Sequence, residues 1–158
     1  MAKGDQIAES ELVVRAGRHP YWDPTLKRAT PSAFTQTEVS VSRLAVLNIE
    51  GIVSIFNKDF GDRSDSNGES MRVRGFGQAT VAQIIQEAEK PIGDPGTVPN
   101  LVLTVVEDKI ENDPNTTDNP AHALICGRDR EDPSQSRKIS RGVAKRLLDV
   151  FSWTAIPE

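Results

Sequence analysis

The 158-residue sequence is short of the groups that usually announce chemistry. It has one cysteine and two histidines. A lone cysteine forms no internal disulfide, so the composition points to a reducing, cytoplasmic setting. Three or four strong ligands for tetrahedral zinc are hard to assemble from one Cys and two His, so no metal is expected. Aromatic residues make up 5% of the chain. No run approaches the ~18 apolar residues that span a bilayer, so no membrane association is expected. The N-terminal "MAKGDQIAES" lacks an apolar core, so it does not read as a secretory signal. Without secretion, the sequon at Asn115 is a chance match. Positive charge is also outnumbered: the net charge of −4 does not draw the whole molecule to nucleic acid or anionic lipid.

Cofactor motifs are missing as well. There is no G-x-x-x-x-G-K-[ST], G-x-S-x-G or H-E-x-x-H, and "GFGQAT" is not G-x-G-x-x-G, so no cofactor is expected. "GFGQAT" still follows an apolar stretch and opens a helical one. Its amides suit an anion, or its glycines suit a tight turn. In "GDRSDSNGES" the EF-hand pattern aligns at Asp65, Asn67 and Gly68 but fails at Arg63 and Arg74, leaving a solvated acidic loop.

What is present is enough for one α+β domain over residues 1–158, with 1–10 expected to be disordered. "ELVVRA" reads as a strand, and "EVSVSRL" alternates as a half-buried strand does. "MRVRGFGQ" reads as a strand with Met71, Val73 and Gly75 inward. "LVLTVVE" is apolar throughout, which suits a central strand covered on both faces. "HALIC" is a further strand. "NIEGIVSIFNKDF", residues 48–58 above all, fits helix or strand equally. "TVAQIIQEAEK" carries Val81, Ile84, Ile85 and Ala88 at helical spacing behind the cap Thr80, and "KPIGDPG" ends it. "SRGVAKRLLDVFSW" is a closing helix capped by Ser140. A mixed or antiparallel sheet of about five strands follows, with two to three helices on one face.

Three segments compete as sites. "DNPAHALICG" holds His122 and Cys126 on one face of a strand, roughly 13 Å apart at ~3.3 Å per residue, too far for a local nucleophile pair. A histidine bonded to backbone explains His122 without a function; a general acid or base near neutral pH is the other reading. "GRHPYWDP" places Arg15, Arg18, His19, Tyr21 and Trp22 close together. That set can grip a phosphate and stack a base, or fold a proline-rich loop over the sheet. With Ser32 and His122 it outlines a nucleotide-handling pocket of the ADP-ribosyl type, whose glutamate has no obvious counterpart. His122, His19 and Ser32 are therefore the candidate catalytic residues. The C-terminal basic run holds Arg137, Lys138, Arg141, Lys145 and Arg146. Lys145 and Arg146 complement a helix dipole, whereas cations before the helix oppose it and suit an acidic partner surface or nucleic acid.

In order along the chain, "PSAF", "EVSVSRL", "NPAHALICG" and the closing helix resemble a group of small bacterial proteins with an S-A-F, S-V and P-x-H-A signature. The resemblance implies corresponding places for Ser32, Phe34, Ser40, Val41 and His122, and no substrate. The uneven charge, the long polar loops and the cationic–aromatic cluster lead to two expected functions, with nucleic-acid binding through Arg137 to Arg146 as a third. One is a non-enzymatic accessory protein of a bacterial cytoplasmic complex, docking on an acidic protein partner. The other is a small nucleotide- or phosphate-binding enzyme using Arg15, Arg18, His19, Ser32 and His122, which requires those residues to share one open cleft.

Overall fold

In the computed structural model, residues 1–93 and 95–157 are described; Asp94, in the expected helix terminator "KPIGDPG", lies outside them. The architecture is α+β and the sheet is antiparallel at every pairing. Six strands form the main sheet: β1 (Leu12–Gly17), β4 (Glu38–Arg43), β5 (Gly75–Thr80), β6 (Val102–Glu107), β7 (His122–Arg128) and β8 (Ser152–Ala155), in the order β6-β7-β4-β1-β5-β8. A separate ribbon pairs β2 (Trp22–Asp23) with β3 (Arg28–Ala29). Strand β8 is the one beyond the expected five. The aromatic tail after the closing helix, "SWTA", leaves the helical stripe and pairs with β5.

Three helices flank the sheet. Helix α1 (Ile49–Phe60) resolves the ambiguity over 48–58, because Asn48 caps it by accepting from the Gly51 amide at 2.8 Å. Helix α2 (Val81–Glu87) starts in a capping box in which Thr80 and Gln83 satisfy each other's backbone. Helix α3 (Arg141–Val150) is capped by Ser140 and buries Val143, Ala144, Leu147 and Leu148.

The helices do not share one face, contrary to the pattern-based expectation. Helices α2 and α3 and the 3-10 turn Pro31–Phe34 cover the face that carries Val13, Val39, Val41, Leu103, Val105, Ala123 and Ile125, forming the main core. Helix α1 lies on the other face, over Val14, Ser40, Ser42 and His122. Alternation along each strand dictates the split, since successive side chains point to opposite faces.

Three further expectations are corrected. Strand β6 is an edge strand, not a central one: Leu103, Val105 and Glu107 point inward, while Val102, Thr104 and Val106 remain half-exposed. Its outer edge receives the N-terminal residues, which were expected to be disordered. The Gly4 and Ile7 amides donate to the carbonyls of Glu107 and Val105, and Ile7 is only 3% exposed. An extended segment that satisfies a free strand edge and buries its one large apolar side chain is ordered by both effects. Finally, β5 begins at Gly75, so Met71 lies before the strand; Val73 is buried there, its amide donating to Asn57 Oδ1 at 3.0 Å.

The glycines of "GFGQAT" then find their reason. Gly77 lies under Trp153, where a Cβ would sit 2.7 Å from the indole, and Gly75 lies under Trp22. Trp22, Phe34, Phe151 and Trp153 form one aromatic group, with Phe34 and Phe151 centroids 5.1 Å apart. Strand β5 is paired on both sides, by β1 and β8, so its amides are not an anion cradle.

Candidate functional site: a cleft where two central strands part

The central sheet pairing is incomplete. Strand β1 pairs with β5 along its whole length, from Leu12↔Thr80 to Gly17↔Gly75. Against β4 it pairs only at Val13↔Arg43 and Val14↔Ser42. Beyond Val14 the two strands separate, and the Arg15 guanidinium enters the gap. It donates to the Ser40 carbonyl at 3.2 Å and to the Ala33 carbonyl at 3.1 Å. It thereby occupies one backbone acceptor on the stretch of β4 that β1 no longer pairs and another on the 3-10 turn Pro31–Phe34.

Those bonds do not neutralise it. Arg15, Arg18 and Arg63 form no ion pair among the described residues. Arg15 Nε is buried without a hydrogen-bond partner, and so is Gln36 Oε1 nearby in the same wall. Burial, with the neighbouring Arg18 cation adding to it and Tyr21 opposing, lowers the Arg15 pKa to about 10. At neutral pH the group is still a cation, held where water solvates it poorly. Arg18 is lowered as well, by burial first, with Tyr21 opposing and Arg63 adding. Its guanidinium lies 5.5 Å from the Tyr21 ring centre and 4.8 Å from that of Phe60, while Arg63 lies 5.2 Å from the same Phe60 ring. The rings disperse the charge but supply no anion.

Arg15, Arg18, Tyr21, Gln36, Phe56 and Phe60 line this cleft, together with Glu38, whose carboxylate pairs with none of the arginines. It adjoins a cavity of about 190 Å³ between the sheet and α1, and the two share Arg15, Ala16, Ser40, Phe56 and Phe60 as walls. The roof of the cavity is the segment 110–119, whose Thr117 donates through its amide and hydroxyl to Asp59 on α1, at 2.8 and 2.7 Å.

His122 lies at the far end of this cavity, opposite Ser42 across the β4–β7 ladder. Its Nδ1 is 2.9 Å from the Asp108 carbonyl and 3.1 Å from the Asp108 carboxylate. A carbonyl only accepts, so Nδ1 carries a hydrogen. The ring is therefore anchored to backbone and also borders the cavity. Asn119 completes this corner, its amide accepting from the Ala121 N–H and donating to Ser42 Oγ at 3.4 Å.

The remaining candidates lie elsewhere. His19 Nε2 is held by Asp65 at 2.7 Å, and Ser32 is exposed on the 3-10 turn, its carbonyl accepting from Gln36 and Thr35. Arg15, Arg18, His19, Ser32 and His122 thus do not converge on one cleft, as the enzyme reading required. Trp22 packs on Gly17 and Gly75 instead of stacking in the arginine cleft. The Asp65 carboxylate is turned onto its own loop, accepting from the Asn67 and Glu69 amides. Cys126 is a buried thiol whose pKa is pushed up, by burial and then by Glu38, which makes it a poor nucleophile. Within the basic run, Arg137 pairs with Asp129 at 2.5 Å and Arg146 donates to the Pro91 carbonyl, while Lys138, Arg141 and Lys145 are exposed.

No protein-family model, curated protein or solved structure matches the chain.

Phe56, Phe60 and Gln36 were not singled out from sequence. The signal for the two phenylalanines was their i, i+4 spacing in "IFNKDF", which places them on one side of a helix once the segment is known to be one.

Proposed function

We propose that the protein binds a small oxyanion, a phosphate or carboxylate group, with Arg15 and Arg18. The observation that carries this is a half-buried guanidinium whose Nε is buried without a partner and which pairs with no carboxylate, beside a second, aromatic-flanked arginine, in a chain whose net charge is −4. A buried cation without a counter-charge costs stability, and an anion arriving in the cleft supplies both the charge and the missing acceptor. Thermal unfolding against inorganic phosphate tests it. Tm is expected to rise by about 5 °C at phosphate well above the Kd, as ~2 kcal/mol of linkage gives for a chain of this size. Arg15→Met should abolish that rise and Arg18→Met should weaken it. A wild-type Tm indifferent to phosphate, sulfate and acetate alike would remove the reading.

A second reading rests on a different surface. Lys138 and Arg141 are exposed just before and at the first turn of α3, where cations oppose the helix dipole and so are not explained by helix stability. With exposed Lys145 they suit docking on an acidic protein, the role of an accessory subunit in a cytoplasmic complex. Capture of a stoichiometric partner that Arg141→Glu and Lys145→Glu release would support it. Capture of nucleic acid with a steep salt dependence would assign the surface to phosphate backbone instead.

A further inference from the structure

We infer that the ligand is an aromatic oxyanion, its acidic group on Arg15 and Arg18 and its ring in the cavity under α1; this rests on the anion reading above. The cleft and the cavity adjoin, with Arg15, Ser40, Phe56 and Phe60 common to the walls of both. The cavity measures about 190 Å³. An apolar cavity of ~150 Å³ is enough for a benzene-sized guest. Its walls are Ile52, Ile55, Phe56, Phe60 and Ile110, around Val14 on the sheet.

The polar groups that border it are mostly committed to each other. Asp59 is taken by Thr117, Asn119 by Ala121 and Ser42, and His122 Nδ1 by Asp108. These groups already have partners within the protein, whereas at the Arg15 end a donor lacks its acceptor. An occupant with an apolar body and one anionic end meets both conditions. A free phosphate fills only the cleft, and a neutral ring only the cavity. Phe56 and Phe60 among the walls favour an aromatic body over an alkyl one of equal volume, through ring–ring contact.

The experiment is calorimetric titration of the full chain with three probes: phenyl phosphate, inorganic phosphate and benzyl alcohol. Phenyl phosphate should bind at least about tenfold tighter than either of the others, the return expected from burying a ring. Ile55→Trp, which fills the cavity from α1, should erase that advantage while leaving the phosphate titration intact. Should that variant not fold, methyl spectra of the wild type give the same answer. Ile52, Ile55 and Ile110 signals should move with phenyl phosphate and not with inorganic phosphate. Equal affinity for phenyl and inorganic phosphate, with silent isoleucine methyls, overturns this inference and leaves the anion reading standing. Benzyl alcohol binding as tightly as phenyl phosphate also overturns it, because the cavity would then act without Arg15. No binding by any probe removes both.

Discussion

The two faces of the sheet solve packing in opposite ways. Under α2 and α3 the surfaces close completely: Val13, Ile84, Ala123, Ile125, Val143 and Leu147 are fully buried, and Phe34 sits among Phe151 and Trp153. Under α1 they do not close. That helix buries only Ile52 outright, the strands beneath it offer Ser40 and Ser42 where the other face offers Val39 and Val41, and a cavity remains. The first face holds the fold, and the second leaves room for something else. Interiors pack at crystal-like density, so an open face beside a closed one marks where packing was not the constraint.

Substitutions should separate the two faces. The largest effect is expected on the closed face: Phe34→Ala should cost about 3–5 kcal/mol in denaturant unfolding. Gly77→Val should follow at about 1–3 kcal/mol, since its side chain must displace Trp153, which a loss of near-UV circular dichroism would report. On the open face Ile55→Ala should cost only about 1 kcal/mol, because the side chain is half-exposed and borders an existing void. Arg15→Met should be close to neutral without ligand, since losing the bonds to the Ser40 and Ala33 carbonyls is offset by replacing a half-buried cation that has no counter-charge with an apolar group. A cost for Arg15→Met matching that of Phe34→Ala would make Arg15 a structural strut and weaken the contrast.

The smallest effects concern pH. The Asp65 carboxyl lies below its ordinary value of 3.8, chiefly through the Glu69 amide, with Asn67 and His19 adding. Asp129 is lowered from the same value, chiefly by Arg137. A carboxyl whose folded pKa is depressed stabilises the fold above its unfolded pKa and loses that contribution as pH falls through the folded one. Stability should therefore decline below about pH 4, more shallowly in Asp65→Asn and Asp129→Asn than in the wild type.

Much of this was legible in the chain. The caps at Thr80 and Ser140, the helical stripes behind them and the alternation of "EVSVSRL" specify local structure through contacts within a few residues, and they appear where the pattern placed them. "LVLTVVE" shows the limit of that legibility. With Val102 and Val106 outward it reads as buried on both faces, yet whether a strand is central depends on partners far away in sequence.

Residue types decided which segments fold as strand or helix, because capping, periodicity and side-chain alternation act locally. Even Arg15, Arg18 and Tyr21 are a visible cluster in the sequence. The separation of β1 from β4 did not, nor did the passage of α1 to the opposite face or the meeting of Arg15 with Gln36, Phe56 and Phe60. These arise from pairing and packing between residues 20 or more positions apart, where the free energy belongs to the assembled sheet and not to any one segment.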